Sequence, residues 1–159
     1  MKNYVKLAGI ALAVIFALSM AACSNSSTDD WEDYLNSLNT GPIPNDILSK
    51  FNLDQSINSF VTANPSGYRG WENYFDYDDI LELVWTDKNQ ATVDSMKTAL
   101  TTLLGVNAGD WIDYSHDGYY GIKVDYDTDI HCAIGLSKTA VDEVPAGTIF
   151  VSFVVYTRP

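Results

Sequence analysis

Tyr119-Tyr120-Gly121-Ile122-Lys123-Val124-Asp125-Tyr126 is followed, three residues later, by Ile130-His131-Cys132-Ala133-Ile134-Gly135-Leu136-Ser137. Both stretches alternate with a period of two. Ile122, Val124 and Tyr126 stand against Gly121, Lys123 and Asp125, while Ile130, Cys132, Ile134 and Leu136 take the inward positions of the second stretch. Successive side chains of an extended chain point to opposite faces, so the pattern predicts two strands that each bury one face. The link between them is too short for a crossover, which makes the pair antiparallel. The strongly apolar run 148–157 that closes the chain predicts a strand that is central or covered on both faces.

Working outward toward the N-terminus, residues 80–86 are apolar and β-prone and predict a further strand. Asn89 can cap a helix running to Leu104, with Asp94 near its positive end and Gly105 just past its last apolar residue. Val93, Met96, Leu100, Leu103 and Leu104 form the buried face of that helix. Earlier still, Trp31, Tyr34, Leu35 and Leu38 fall at i, i+3, i+4 and i+7, one stripe of a helix that starts near Thr28 or Asp29. Asp29 and Glu32 have the spacing of a variant capping box. Gly41-Pro42-Ile43-Pro44 ends this helix, and a second short one over 45–51 buries Ile47, Leu48 and Phe51. Between 56 and 79 the pattern blurs. Ile57, Phe60 and Val61 suggest a strand, Asn64-Pro65-Ser66-Gly67 a turn, and the aromatic, acidic segment from Gly70 to Tyr77 a loop. The expected class is α+β: an antiparallel sheet of about four strands with one helix on it, preceded by two short N-terminal helices, in a single domain over 29–159.

Composition narrows the function. The 159 residues are 47% hydrophobic and 13% aromatic, which excludes wholesale disorder, and the two cysteines cannot build a disulfide scaffold or a four-ligand zinc site. A net charge of −12 opposes nucleic acid as a partner, because a polyanion is repelled by such a surface.

At the N-terminus Lys2 and Lys6 precede Leu7–Met20, which contains no charged residue, and Ala21-Ala22 lead directly to Cys23. Fourteen helical positions span about 21 Å, short of the roughly 30 Å bilayer core, so the segment reads as an export signal and not a permanent span. Met20-Ala21-Ala22-Cys23 resembles the bacterial lipoprotein lipobox, with Met20 where that family prefers Leu. The resemblance covers this segment alone. It implies a signal peptide over 1–22, cleavage before Cys23, diacylglycerol on the Cys23 thiol and N-acylation, by palmitate or a similar chain, of the new terminus. Residues 23–28 would then be a polar tether, and the domain would stand outside the cytoplasm, lipid-anchored to a membrane of the cell envelope. Loss of Lys2 and Lys6 takes Lys+Arg from 9 to 7 against 21 acidic residues, a net charge of −14. Anionic headgroups repel such a surface, so the lipid would do the holding.

Motifs for chemistry are sparse. The chain has no G-x-S-x-G, H-E-x-x-H or G-K-[ST] phosphate loop. Cys132 and His131 are strand neighbours facing opposite sides, which fits a buried structural thiol and not a nucleophile–base pair. His116 lies between Asp113 and Asp117 in a turn-like segment, where it could serve acid–base work in a hydrolase or simply be exposed. Asp125, Asp127 and Asp129 have the D-x-D-x-D spacing of a calcium loop, but Ile130 and Leu136 stand where its glycine and bidentate glutamate belong. That leaves weak calcium binding or plain turn chemistry. Trp71, Tyr74, Tyr77 and Trp111 lie in segments without regular period. They could stack on sugar rings if exposed together, or fill the core. The expected role is therefore a non-catalytic binding module contacting an envelope protein or a glycan, with a hydrolase using Asp and His116 as the alternative.

Overall fold

The structure, a computed structural model, describes residues 28–156 apart from 76–77 and 141–143. The two alternating stretches form β4 (Tyr119–Asp127) and β5 (Ile130–Ser137), paired antiparallel with Val124 opposite Cys132. Asp129 makes the turn between them at φ 62. The closing apolar run forms β6 (Ile149–Val155), and its neighbours are β5 on one side and β2 (Asp79–Trp85) on the other. Its interior place explains its composition. Among the described residues the sheet has six strands in the order β1-β2-β6-β5-β4-β3, where β1 is Tyr68–Phe75 and β3 is Ile112–Asp113. Every pair is antiparallel.

The helices are α1 (Thr28–Ser37), α2 (Asn45–Leu48, continued by a 3-10 turn over Ser49–Phe51), α3 (Ser56–Ala63) and α4 (Gln90–Leu104). The α4 boundaries match the capping signals. The Asn89 side chain accepts from the Thr92 amide, and Gly105, at φ 66, donates to the Thr102 carbonyl while Val106 donates to Thr101. Among the described residues no helix is long and apolar enough to cross a membrane.

Four expectations are corrected. The sheet has six strands, not about four, and α2, α3 and α4 all pack on its first face, not one helix alone. Residues 56–63 are helix α3, not a strand. Ile57, Phe60 and Val61 share helical spacing, and Asp54 accepts the Ser56 amide at 2.8 Å to start the turn. The stretch from Gly70 to Phe75 belongs to strand β1, not to a loop; Tyr77 lies outside the described residues. Its alternation is hidden because both faces are covered. Trp71 points into the core, whereas Glu72 points to the second face, under α1. The register also shifts between Tyr68 and Gly70. At Gly70, φ is 145 and an added Cβ would lie 2.6 Å from the Asn39 carbonyl. That close approach is the bridge Asn39–Trp71, whose two backbone hydrogen bonds are both 2.9 Å. It also explains why α1 stops at Ser37, before the glycine and prolines expected to end it. The Asp29 side chain of the expected capping box lies outside the described residues.

The core is divided by the sheet. On the first face Trp71, Leu81, Leu83, Trp85, Val151 and Ile134 join Phe51, Ile57, Met96 and Leu100 from the helices. On the second face Trp31 and Leu35 of α1, with Leu38 just past its end, close a smaller cluster over Val84, Phe150 and Val144.

Candidate functional site

The second face carries what the first does not: polar side chains out of water. The register lines up Glu72, Glu82, Ser152, Ala133 and Lys123 across five strands. Glu82, Ser152 and Lys123 are buried, and Glu82 is fully so. Adjacent to this row, Gly135 and Gly121 lack side chains, and two tyrosine rings occupy the space. A Cβ on Gly121 would lie 2.5 Å from Tyr114 Cε2, and one on Gly135 would lie 2.5 Å from Tyr119 Cζ after colliding with its hydroxyl.

Local chemistry positions these rings. The Tyr114 amide donates to the Gly121 carbonyl at 2.9 Å, and Ser115 takes the Gly121 amide on its hydroxyl at 3.0 Å. His116 and Tyr119 exchange two backbone hydrogen bonds of 3.0 Å around Gly118, at φ 76. The Tyr114 and Tyr119 rings are 6.2 Å apart, with buried hydroxyls that face each other without a well-formed hydrogen bond. Burial pushes both phenols up, and the charge of Glu82 adds to it.

Glu82 is the centre of the arrangement. Its Oε2 accepts from Ser152 Oγ at 3.0 Å. The Tyr34 hydroxyl of α1 donates to Glu72 Oε1 at 2.6 Å and lies 3.5 Å from Glu82 Oε1. One hydroxyl proton cannot serve two carboxylates, and the short bond goes to Glu72. Burial first, and the neighbouring Glu72 second, push the Glu82 carboxyl up to about 8, against the pull of Ser152 and Tyr34. At neutral pH Glu82 is a neutral acid that can itself donate. Tyr74 completes the group by a hydrogen bond to Glu72, and burial pushes its phenol up as well.

Comparison with protein-family models, curated proteins and solved structures finds no match to this chain. The site must therefore be read from its own geometry.

Of the residues singled out by sequence, Tyr74 belongs to this cluster and the others that the structure describes lie apart from it. Trp71 is in the first-face core, its indole donating to the Gly41 carbonyl at 2.8 Å. Trp111 is buried beside α4, donating to Thr101 Oγ1 at 2.9 Å. These two rings fill the core and offer no stacking platform. Tyr77 and Cys23 lie outside the described residues. Asp125 pairs with the buried His131, and Asp127 accepts from Asn52. The Asp129 carbonyl takes the Tyr156 amide at 3.0 Å. Among the described residues no three His, Cys, Asp or Glu side chains gather to hold a metal ion. His116 is exposed, stacked on Tyr119 at 5.1 Å, with Nδ1 3.1 Å from the Asp117 carbonyl. Cys132 is sealed in the first-face core, where burial pushes its thiol up, and His131 faces the other way.

Sequence reasoning missed Glu72, Glu82, Tyr34, Tyr114 and Tyr119 as a group. One signal was present: Glu82 interrupts Ile80-Leu81 and Leu83-Val84-Trp85, a charge inside an apolar strand. Chemically the cluster offers hydroxyl and carboxyl hydrogen bonds on a dry face.

Proposed function

We propose that this chain is an exported bacterial lipoprotein, anchored by acyl chains on Cys23, whose α+β domain is a non-catalytic binding module of the cell envelope. The observation that carries the reading is the run of uncharged residues Leu7–Met20 delivering Ala21-Ala22 to Cys23. Several acyl chains on one residue anchor firmly, since each buried CH₂ contributes about 0.8 kcal/mol. Only Ser24-Asn25-Ser26-Ser27 separates that cysteine from α1, which begins at Thr28. Even fully extended, such a link reaches less than about 20 Å. The domain would work close to the bilayer, and at a net charge of −14 it would stand off anionic headgroups while attracting a partner with basic groups. That partner is an envelope protein or a glycan; nucleic acid does not fit the charge.

The experiment is Cys23→Ser in cells labelled with a fatty-acid probe. The wild-type protein should partition with membranes and carry label, and the variant should do neither. Retention of both by the variant would overturn the reading. A pull-down from envelope extract beside a glycan panel, with the soluble domain from residue 24 as bait, then separates protein from carbohydrate partners.

A further inference from the structure

The two hydrophobic clusters share no residue, and α1 belongs only to the smaller one. The helix can therefore lift from the second face without opening the core formed by α2, α3 and α4 against the first face. Its apolar contacts are Trp31 and Leu35, with Leu38 just past its end; its polar contacts with the sheet are Tyr34 in the interior and, at the exposed rim, Glu32 paired with Arg69 of β1 at 3.4 Å. Beneath Tyr34, Glu72 and Glu82 stand directly opposite each other on β1 and β2. One phenol hydroxyl lies within 3.5 Å of both carboxyl groups.

We infer that Tyr34, Glu72 and Glu82 form a proton-dependent latch: α1 stays docked while the acid pair holds a proton and is released when both carboxyls are charged. The inference goes beyond the proposed anchoring and does not depend on it. Three groups sharing two protons form a chain: the Glu82 carboxyl hydrogen points to the Tyr34 oxygen, and the Tyr34 hydrogen to Glu72. Removing the carboxyl proton leaves two anions in a site whose donors are Tyr34 between them, Tyr74 on Glu72 and Ser152 on Glu82. Lifting α1 opens that site to water, which solvates both charges.

Other groups on this face must be weighed. From β1, Tyr74 bonds Glu72, and its phenol is itself pushed up by burial. From the β3–β4 segment, Tyr114 and Tyr119 are neutral phenols whose own ionisation Glu82 opposes. From β5, His131 faces this side one row away, where its Nδ1 meets Asp125. From β4, Lys123 shares the row of Glu82 but stands three strands from it, with Ser152 and Ala133 between. Of these groups Glu82 alone combines full burial with a second carboxyl opposite.

Hydrogen exchange read by mass spectrometry, corrected for the intrinsic rate at each pH, tests the latch. Between pH 6 and 9 the protection of α1 should fall roughly 10- to 100-fold relative to that of α4, and level off above the Glu82 titration. Glu82→Gln should hold α1 protection constant over that range. Glu72→Gln, on a half-buried side chain that the fold tolerates losing more easily, should move the levelling-off to lower pH, since it removes the charge that opposes ionisation of Glu82. Equal loss in α1 and α4, no loss in the wild type, or a Glu72→Gln curve superimposed on the wild type would each overturn the inference.

Discussion

Replacing Gly135 by alanine tests whether Tyr119 lies where the fold places it. Gly135 is a β5 residue without positive φ, so alanine brings no backbone strain, and by itself would restrict the unfolded chain and stabilise by about 0.4–1 kcal/mol. The opposing effect is larger. The new Cβ would overlap the Tyr119 hydroxyl, lie 2.5 Å from Cζ and 3.1 Å from Cε2. Tyr119 cannot simply swing away, because its ring is buried, stacked on His116 at 5.1 Å and flanked by Tyr114 at 6.2 Å. If the ring slides, the penalty is that of overpacking, about 1–3 kcal/mol; if it is expelled, the loss approaches the 3–5 kcal/mol of truncating a buried aromatic. Urea unfolding followed by far-UV circular dichroism should therefore show a net destabilisation of roughly 1–4 kcal/mol with an unchanged m-value. Tyr119→Leu removes every atom that the Cβ strikes, so Gly135→Ala in that background should be nearly neutral, a coupling of about 1 kcal/mol or more. Tyr119→Phe keeps Cζ and should relieve the clash only in part. Gly41→Ala, with nothing within 4 Å, is the control and should be neutral or slightly stabilising. Gly135→Ala within 0.5 kcal/mol of wild type, or an equal penalty in both backgrounds, would refute this placement of Tyr119 on the sheet.

Two further outcomes follow from the buried titratable groups. Glu82 has a folded-state carboxyl raised to about 8 from an ordinary 4.5, so the folded protein holds a proton that the unfolded chain releases. Its contribution is fully present below 4.5, declines as pH rises from there to about 8, and is flat above, for a total of roughly 5 kcal/mol at most. Melting curves between pH 5 and 9 should show stability falling with pH in the wild type and a flatter profile in Glu82→Gln; parallel profiles would mean Glu82 is not held neutral. Cys132, with burial raising its thiol, should resist a maleimide reagent in the native protein at pH 8 and react on unfolding in urea. Rapid native labelling at Cys132 would show that β5 is not covered.

How much of this was legible in the sequence depends on whether a segment has one covered face or two. β4 and β5 alternate because their second face changes from apolar to small or polar residues, and the pattern names both strands and their pairing. α4 could be read from Asn89 and Gly105 because caps are local chemistry. β1 could not, because Trp71 is buried on one side and Glu72 is screened on the other, so no alternation of apolar and polar residues survives. The site was less legible still. Glu82 announces itself as a carboxylate in an apolar strand, but its phenol partner lies 48 positions away on a helix whose stripe reads as ordinary core. Tyr114 and Tyr119 reach the sheet only because Gly121 and Gly135 leave room, a complementarity across strands that no periodicity records. Trp71 and Trp111 drew attention for the opposite reason. Their segments are irregular because each turns one large ring into the core.

The two faces of the sheet thus have separable tasks. The first gathers the larger cluster under α2, α3 and α4, and nothing in its stability calls for a buried acid. A buried glutamate at 82 is costly where leucine would pack, and the inferred latch gives that cost a use: the element covering it can come off. α1 is that element, and it is also the first element after the proposed lipid site. Lipid, link, helix and latch are then mechanically in series: a pull between bilayer and domain reaches Tyr34 before it reaches any residue of the larger core. With the latch as inferred, tension and pH would act on the same contact, the one between Tyr34 and the acid pair. A released α1 would add its ten residues to the link, about 15 Å if the helix persists, letting an acidic domain reach partners farther from the membrane.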